Sequence, residues 1–305
     1  MTARVFIDGA HGTTGLEIRE RLGERRDIAL IVLDEAERRD PAARERALKG
    51  ADFAILCLPD DAAREAVALT GDAPVRFIDA STAHRTDPAW VYGFPEFAAG
   101  QRAAIASARY VSNPGCYSTG FLALVAPLVA AGVLDAATPF TVNAVSGYSG
   151  GGKAMIAEFE GGGEDTAFRA YAMGLQHKHV PEMQERAGLS RAPLFAPAVV
   201  RTYRGMVVEV PLVDSPPVTV LHEALDSFYR DAALVSVVHG DQADIVRIEE
   251  NAGSDRMTLR VFGNDDRRQA RLVATLDNLG KGASGAAVQS LNIMAGLEET
   301  AGLRL

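Results

Sequence analysis

The sequence predicts a doubly wound parallel α/β sheet followed by an α+β domain. Three observations carry this. Short apolar runs alternate with helix-period segments up to residue 79, the pattern of a parallel sheet with crossover helices. A glycine-rich turn, GAHGTTG (9–15), joins the first apolar run to the first helical one. From about residue 139 the strands stand apart, separated by long stretches, which suits a mixed sheet with helices on one face.

The elements follow in order. RVFID (4–8) is a short strand, and LEIRERL (16–22) has helical periodicity. IALIVL (28–33) is a second strand. DPAARERAL (40–48) reads as a helix with Asp40 as N-cap and Pro41 in the first position. ADFAILCL (51–58), the helix DDAAREAVAL (60–69) and VRFID (75–79) continue the alternation. In the second half, FTVNAV (140–145), AVVRTY (198–203), MVVEVPL (206–212), ALVSVV (233–238), MTLRVF (257–262) and QARLVATLDNL (269–279) read as strands. SGAAVQSLNIMAGL (284–297) is a helix with one apolar face.

Composition excludes several classes. With 305 residues, 48% of them hydrophobic, the chain can bury two cores. A formal net charge of -9 argues against a nucleic-acid partner and an anionic membrane surface. No run reaches the ~20 apolar residues that span a bilayer. The opening MTARVFID reads as a strand and has no signal-peptide profile. Two cysteines cannot make a disulfide framework. A cytoplasmic location is expected.

Gly9, Gly12 and Gly15 stand between a strand and a helix. Glycine allows a tight turn and close approach of a pyrophosphate, and the helix N-terminus adds N–H groups and a positive dipole end. Dinucleotide binding is expected, though such turns also simply join strand to helix. Asp34 follows the second strand, where an acid favours a free ribose 2′-OH. Arg38 and Arg39 follow, where they can meet a 2′-phosphate, and all three also read as solvated surface charges.

The cysteines differ. Cys57 sits in an apolar strand and reads as core. Cys116, in SNPGCYSTG (112–120), falls at the start of a helix, where the dipole favours a thiolate nucleophile and neighbouring N–H groups can stabilise an oxyanion. A packing or capping cysteine is the plainer reading. LQHKHVPEM (175–183) offers His177 and His179, expected to point one way on an extended segment, with Pro181 and Glu182 opening a helix. Glu182 can orient an imidazole. The rival, a metal held by His177, His179 and Glu182, lacks a fourth-ligand motif, so no metal is expected. GYSGGGKA (147–154) nearly spells a phosphate-binding loop, but Ala154 stands where a hydroxyl should hold Mg²⁺. A P-loop-like kinase or ATPase is therefore a remote alternative.

These motifs, with DASTAHRT (79–86), GFPE (93–96) and KGASGAAVQSLN (281–292), occur in an order and spacing that resembles the N-acetyl-γ-glutamyl-phosphate reductase family in its shorter form, over essentially the whole chain. The resemblance implies a Rossmann-type domain (1–114 with 282–305) and a catalytic and oligomerisation domain (115–281) of the semialdehyde/glyceraldehyde-phosphate dehydrogenase type. The last helix is then expected to return to the first domain. It implies NADP(H), a small acyl-phosphate substrate, a place in arginine biosynthesis and a homodimer or homotetramer. It casts Cys116 as nucleophile, His179 or His177 as general acid/base and Glu182 as orienter. Gly9, Gly12, Thr13, Thr14, Gly15, Leu58, Pro59, Ser81 and Gly282 become cofactor-binding candidates. Arg85, Asn113, Ser146, Ser149, Gly150 and Lys153 become substrate-binding candidates. Aspartate-semialdehyde dehydrogenase and a lysine-pathway aminoadipyl-phosphate reductase are the nearest alternatives.

Overall fold

The computed structural model describes residues 2–162, 165–239 and 245–305. The chain forms two compact units, one of Met1–Pro95, Gly100–Pro114 and Ala283–Leu303, the other of Glu96–Ala99, Gly115–Gly282 and Arg304–Leu305.

The first unit opens with β1 (Ala3–Asp8), α1 (Thr13–Gly23), β2 (Ile28–Ile31), α2 (Pro41–Gly50), β3 (Phe53–Leu56), α3 (Asp60–Thr70) and β4 (Arg76–Asp79). It continues with β5 (Val91–Tyr92), α4 (Gln101–Ser107) and β6 (Tyr110–Ser112). The strands pair in the order β2-β1-β3-β4-β6-β5, all in parallel. Central strands are buried on both faces, so β3 reads Phe-Ala-Ile-Leu without alternation. Asp40 caps α2 as expected, its side chain accepting from the Ala42 N–H, with Pro41 in the first turn.

The second unit contains α5 (Cys116–Ala130), β7 (Thr141–Gly147), α6 (Gly152–Glu160), β8 (Phe168–Ala170), α7 (His179–Arg186) and β9 (Leu194–Val200). Then come β10 (Met206–Val213), α8 (Val218–Tyr229), β11 (Val235–His239), β12 (Met257–Asn264) and β13 (Gln269–Leu276). The sheet order is β11-β12-β13-β10-β7-β9-β8. It is mixed: β10 runs antiparallel to both β13 and β7, while β7 and β9 are parallel. α5 is buried from Tyr117 to Leu128, and a helix apolar all round belongs inside a core.

A π-helical turn, Gly280–Ser284, precedes α9 (Gly285–Ala295). α9 lies in the first unit, where Ala287, Val288, Leu291 and Met294 join Val5, Ile7, Ile55 and Ile78 in one apolar cluster.

Two expectations need correction. The histidine segment is helical from His179, not extended, because the His177 Nδ1 accepts the His179 N–H at 3.1 Å and closes the turn early. The strand expected at 198–203 lies at Leu194–Val200 instead, held in register along β7. The helix α8, with Leu221, Leu225 and Tyr229 buried on its amphipathic face, fills one of the long stretches between strands to which the sequence assigns no element.

Candidate active site

Cys116 is the first residue of α5, with Gly115 as N-cap and no side-chain cap, and the first turn carries no acidic residue. Thiol and helix N-terminus therefore share one place, the arrangement that favours thiolate. Glu182 anchors this end. Its Oε1 accepts the Gly115 N–H at 2.9 Å and its Oε2 accepts the Ser118 hydroxyl at 2.8 Å. The structure thus ties the Glu182 carboxylate to the helix that bears the thiol. Glu182 is 1% exposed, so a residue of α7 holds the start of α5 by two buried hydrogen bonds.

The histidines gather beside this point. The His177 and His179 rings are 4.7 Å apart, and both stand edge-on to Tyr117, at 6.1 and 5.8 Å. The Tyr171 hydroxyl donates to the Tyr117 hydroxyl at 3.3 Å. Burial pushes the Tyr117 phenol well up, with Tyr171 and then the charge of Cys116 adding to it. Burial also pushes Tyr171 up to about 12, again with a contribution from Cys116. The two phenols are therefore neutral, the Tyr117 hydroxyl donating in turn to the Ala198 carbonyl at 3.2 Å. His179 is buried, and His177 half-buried with its Nδ1 accepting a backbone N–H. When neutral, His177 carries its proton on Nε2. Tyr171 and Ser118 were missed by sequence reasoning. Ser118 follows Cys116 by two positions; Tyr171 precedes His177 by six, and a lone tyrosine before a histidine motif gives no signal.

Gly282 sits against the same residue: a Cβ there would lie 2.8 Å from the Cys116 Cβ. Further along, Ser149 is buried and its Oγ accepts from Asn278 at 2.9 Å, while the Ser146 hydroxyl donates to the Gly147 carbonyl. Gly150 and Lys153 are exposed. The near-miss loop follows β7, a strand in the middle of a mixed sheet, by way of a short 3₁₀ turn at Tyr148–Gly151. Its serines are committed to internal hydrogen bonds, and neither a kinase nor an ATPase reading is supported.

In the first unit the glycine loop has the form of a phosphate cradle. Gly9 has φ +86°, in the left-handed region that glycine occupies without strain. A Cβ on Gly9 would overlap the Cys57 carbonyl, and one on Gly15 would overlap the Gly9 carbonyl. α1 begins with Gly12 as N-cap and no side-chain cap. Two polar atoms buried beside it, His11 Nε2 and Thr13 Oγ1, have no hydrogen-bond partner among the described residues. A bare helix end with orphaned polar atoms fits a dinucleotide pyrophosphate. Thr14 lies in the first turn, and Leu58 and Pro59 follow β3.

Around β4, the buried Asp79 accepts the Ser81 hydroxyl and the His84 Nδ1, both at 2.7 Å. Arg85 is buried and donates to the Asn113 and Ala80 carbonyls. Asn113 donates to the Ala283 carbonyl at 3.0 Å. The Asp34 carboxylate caps its own turn at Ala36 and Glu37, and Arg38 and Arg39 reach Glu35.

This fold and site define a dehydrogenase-type protein with a dinucleotide domain and a thiol-bearing domain. The semialdehyde dehydrogenase NAD binding domain matches residues 4–108, and the semialdehyde dehydrogenase dimerisation domain matches residues 116–278. The aspartate semialdehyde dehydrogenase II of Vibrio cholerae superposes with a TM-score of 0.73 at 19% identity, over 97% of this chain and 99% of that one. The Francisella tularensis aspartate semialdehyde dehydrogenase gives 0.74 at 13% identity, over 96% and 100%. At such identities the likeness shows the fold alone. A Brucella ovis protein named N-acetyl-gamma-glutamyl-phosphate reductase is 52% identical over 97% of this chain and 100% of its own length. N-acetyl-gamma-glutamyl-phosphate reductase 2 of a Nostoc species is 49% identical over 98% and 99%. The chain belongs to the N-acetyl-γ-glutamyl-phosphate reductase family, within the semialdehyde dehydrogenases.

Proposed function

We propose that the chain reduces N-acetyl-L-γ-glutamyl phosphate to N-acetyl-L-glutamate 5-semialdehyde with NADPH, releasing phosphate, in arginine biosynthesis. The observation that carries this is Cys116 at the bare N-terminus of α5, beside two histidines and two neutral phenols, in a chain about half identical to reductases of that name.

The Cys116 thiolate attacks the acyl carbon. The bond from that carbon to the phosphate oxygen breaks, phosphate leaves, and a thioester remains. This divides one hard step into two. The N–H groups of the first turn of α5 face the oxygen on which charge develops; Gly115 is excluded because its N–H is already held by Glu182. Bound NADPH supplies the hydride that reduces the thioester carbonyl. His179 then moves the proton as the hemithioacetal collapses, its C–S bond breaking to release aldehyde and thiolate. His179 is favoured over His177 because it is the more buried and shares the first turn of α7 with Glu182, while His177 has one ring nitrogen engaged with the backbone. Glu182 fixes the thiol's helix. Gly9, Gly12, Thr13, Thr14 and Gly15, with Leu58, Pro59 and Ser81, would hold the cofactor; Gly282 stands beside the thiol. Preference for NADP over NAD rests on Arg38 and Arg39, since the Asp34 carboxylate is turned into its own loop. Among the substrate candidates Lys153 is the exposed cation; Arg85, Asn113, Ser146, Ser149 and Gly150 shape the surroundings.

The protein works as a homodimer or homotetramer in the cytoplasm, formed through the unit that matches the dimerisation domain. Among the described residues no helix is long and apolar enough to cross a membrane, and the net charge of -9 speaks against nucleic acid as a partner.

The reverse reaction tests the proposal. N-acetyl-glutamate semialdehyde, phosphate and NADP⁺ should yield NADPH, with less from NAD⁺ and none from aspartate semialdehyde. Activity on aspartate semialdehyde alone would overturn the substrate assignment and leave the thiol chemistry standing.

A further inference from the structure

We infer that the buried Lys281–Glu96 ion pair is a positioning device for the Cys116 thiol, an inference that rests on Cys116 being the nucleophile. The Lys281 ammonium is 2.8 Å from Glu96 Oε2, and each side chain is 1% exposed. Burying both charges costs desolvation that offsets their attraction, so such a pair is poor support for stability alone. What it does supply is a fixed geometry between two distant stretches of chain.

Lys281 belongs to the π-helical turn Gly280–Ser284. The next residue, Gly282, lies so close to the nucleophile that a Cβ would stand 2.8 Å from the Cys116 Cβ and 3.3 Å from its Cα. The turn therefore forms one wall of the thiol's surroundings, and its placement sets the room beside the sulfur. Local bonds give the turn its shape. Asp277 accepts the Leu279 N–H at 2.7 Å and the Gly280 N–H at 3.0 Å, and the Gly282 N–H donates to the Asp277 carbonyl at 2.9 Å. All of these come from the chain leading into the turn, so they hold it by one end.

Glu96 holds it from the other side. The charge of Glu96 reaches the buried Tyr229 phenol, and that phenol donates to the Ala123 carbonyl of α5 at 2.9 Å. The Lys281–Glu96 pair and the Tyr229–Ala123 bond that ties α8 to the helix of Cys116 both lie in the second unit. The Gly-Phe-Pro-Glu motif at 93–96 has no place in the chemistry of the thiol itself. This role accounts for its acid.

The test uses the full chain and the double variant Lys281→Met with Glu96→Leu, which replaces the pair by apolar groups of similar size and leaves no lone buried charge. Three quantities are read: melting temperature, the rate of iodoacetamide modification of Cys116 followed on its peptide by mass spectrometry, and kcat with KM. The expected result is a folded protein with unchanged KM for the dinucleotide, kcat lowered about 10- to 100-fold and a clearly altered modification rate, the scale of a misplaced reacting atom. A folded double variant with wild-type kcat and wild-type modification rate overturns the proposal. Should the double variant not fold, Lys281→Arg and Glu96→Asp keep the pair but change its length. A lowered kcat at unchanged melting temperature and dinucleotide KM supports positioning, and an unchanged kcat overturns it. Failure of the functional reading shows elsewhere, as turnover retained by Cys116→Ala.

Discussion

The chain carries two cysteines in the same local grammar, each just after a strand of the parallel sheet and just before a helix, and their surroundings differ. Cys57 follows β3 and precedes Pro59 and α3. Burial pushes its thiol up to about 12, and the Asp79 and Asp8 carboxylates push the same way. Cys116 follows β6 and opens α5, where no acidic residue stands in the first turn. The acid nearest that helix start, Glu182, is satisfied by the Gly115 N–H and the Ser118 hydroxyl. Position after a strand is therefore not what makes a nucleophile. What differs is that one thiol stands at a helix end, while the other is buried, with two carboxylates adding to the effect of burial.

The largest effect that would sharpen this contrast is in turnover. Cys116→Ala is expected to lower kcat by at least about a thousandfold, as removal of a covalent nucleophile does, with dinucleotide affinity kept. Cys57→Ala should keep kcat within about threefold. Equal losses in the two variants would break the comparison. The histidines come next. His179→Asn should cost about 10²- to 10⁴-fold in kcat, the usual scale for proton transfer, and His177→Asn less. The reverse ranking, measured in the phosphate-dependent assay, would move the proton to His177. Smaller still is Gly15→Ala in the glycine loop. Its Cβ would press on the Gly9 carbonyl, so a strain of about 1–3 kcal/mol should weaken dinucleotide binding roughly tenfold or more. The modification rate of Cys116 should not change. Titration calorimetry and alkylation kinetics together check both halves.

Much of this contrast was legible in the sequence. The alternation of strands and helices up to Asp79 follows from periodicity, because central parallel strands must be apolar on both faces. Cys116 stood out because Asn-Pro-Gly ends an extended segment and an apolar helix follows. The histidine pair stood out by spacing, but its conformation did not. A side chain closing a turn on its own backbone, as His177 does on His179, leaves no periodic mark. Glu182 stands out by its place in the histidine motif, but its bonds to residues 115 and 118 are long-range pairings set by tertiary packing. Tyr171 was invisible for the same reason. The helix α8 opens directly after Pro216 and Pro217, with Pro217 as its N-cap. Lys281 and Glu96 lay in motifs already noted, but nothing in either motif says that the two charges meet.

The smallest effect concerns Cys57 and alkali. Its thiol has an ordinary value of 9.0, and burial in the folded chain pushes it up to about 12. The folded state therefore keeps the proton over a range in which the unfolded state has lost it. The associated stability is fully present below pH 9.0 and is lost as pH rises through about 12. Tyr117, Tyr171 and Tyr229 are raised too and act in the same direction, so the wild-type slope alone cannot isolate the cysteine. The difference between wild type and Cys57→Ala can. Melting temperatures taken from pH 8 to pH 11 should fall less steeply in the variant, because one proton-linked loss has been removed. Parallel slopes would mean that Cys57 ionises as easily in the folded chain as in the unfolded one. In that case the reactivity of the two thiols would differ through access alone, and iodoacetamide at pH 8 would label both once the fold is loosened by mild denaturant.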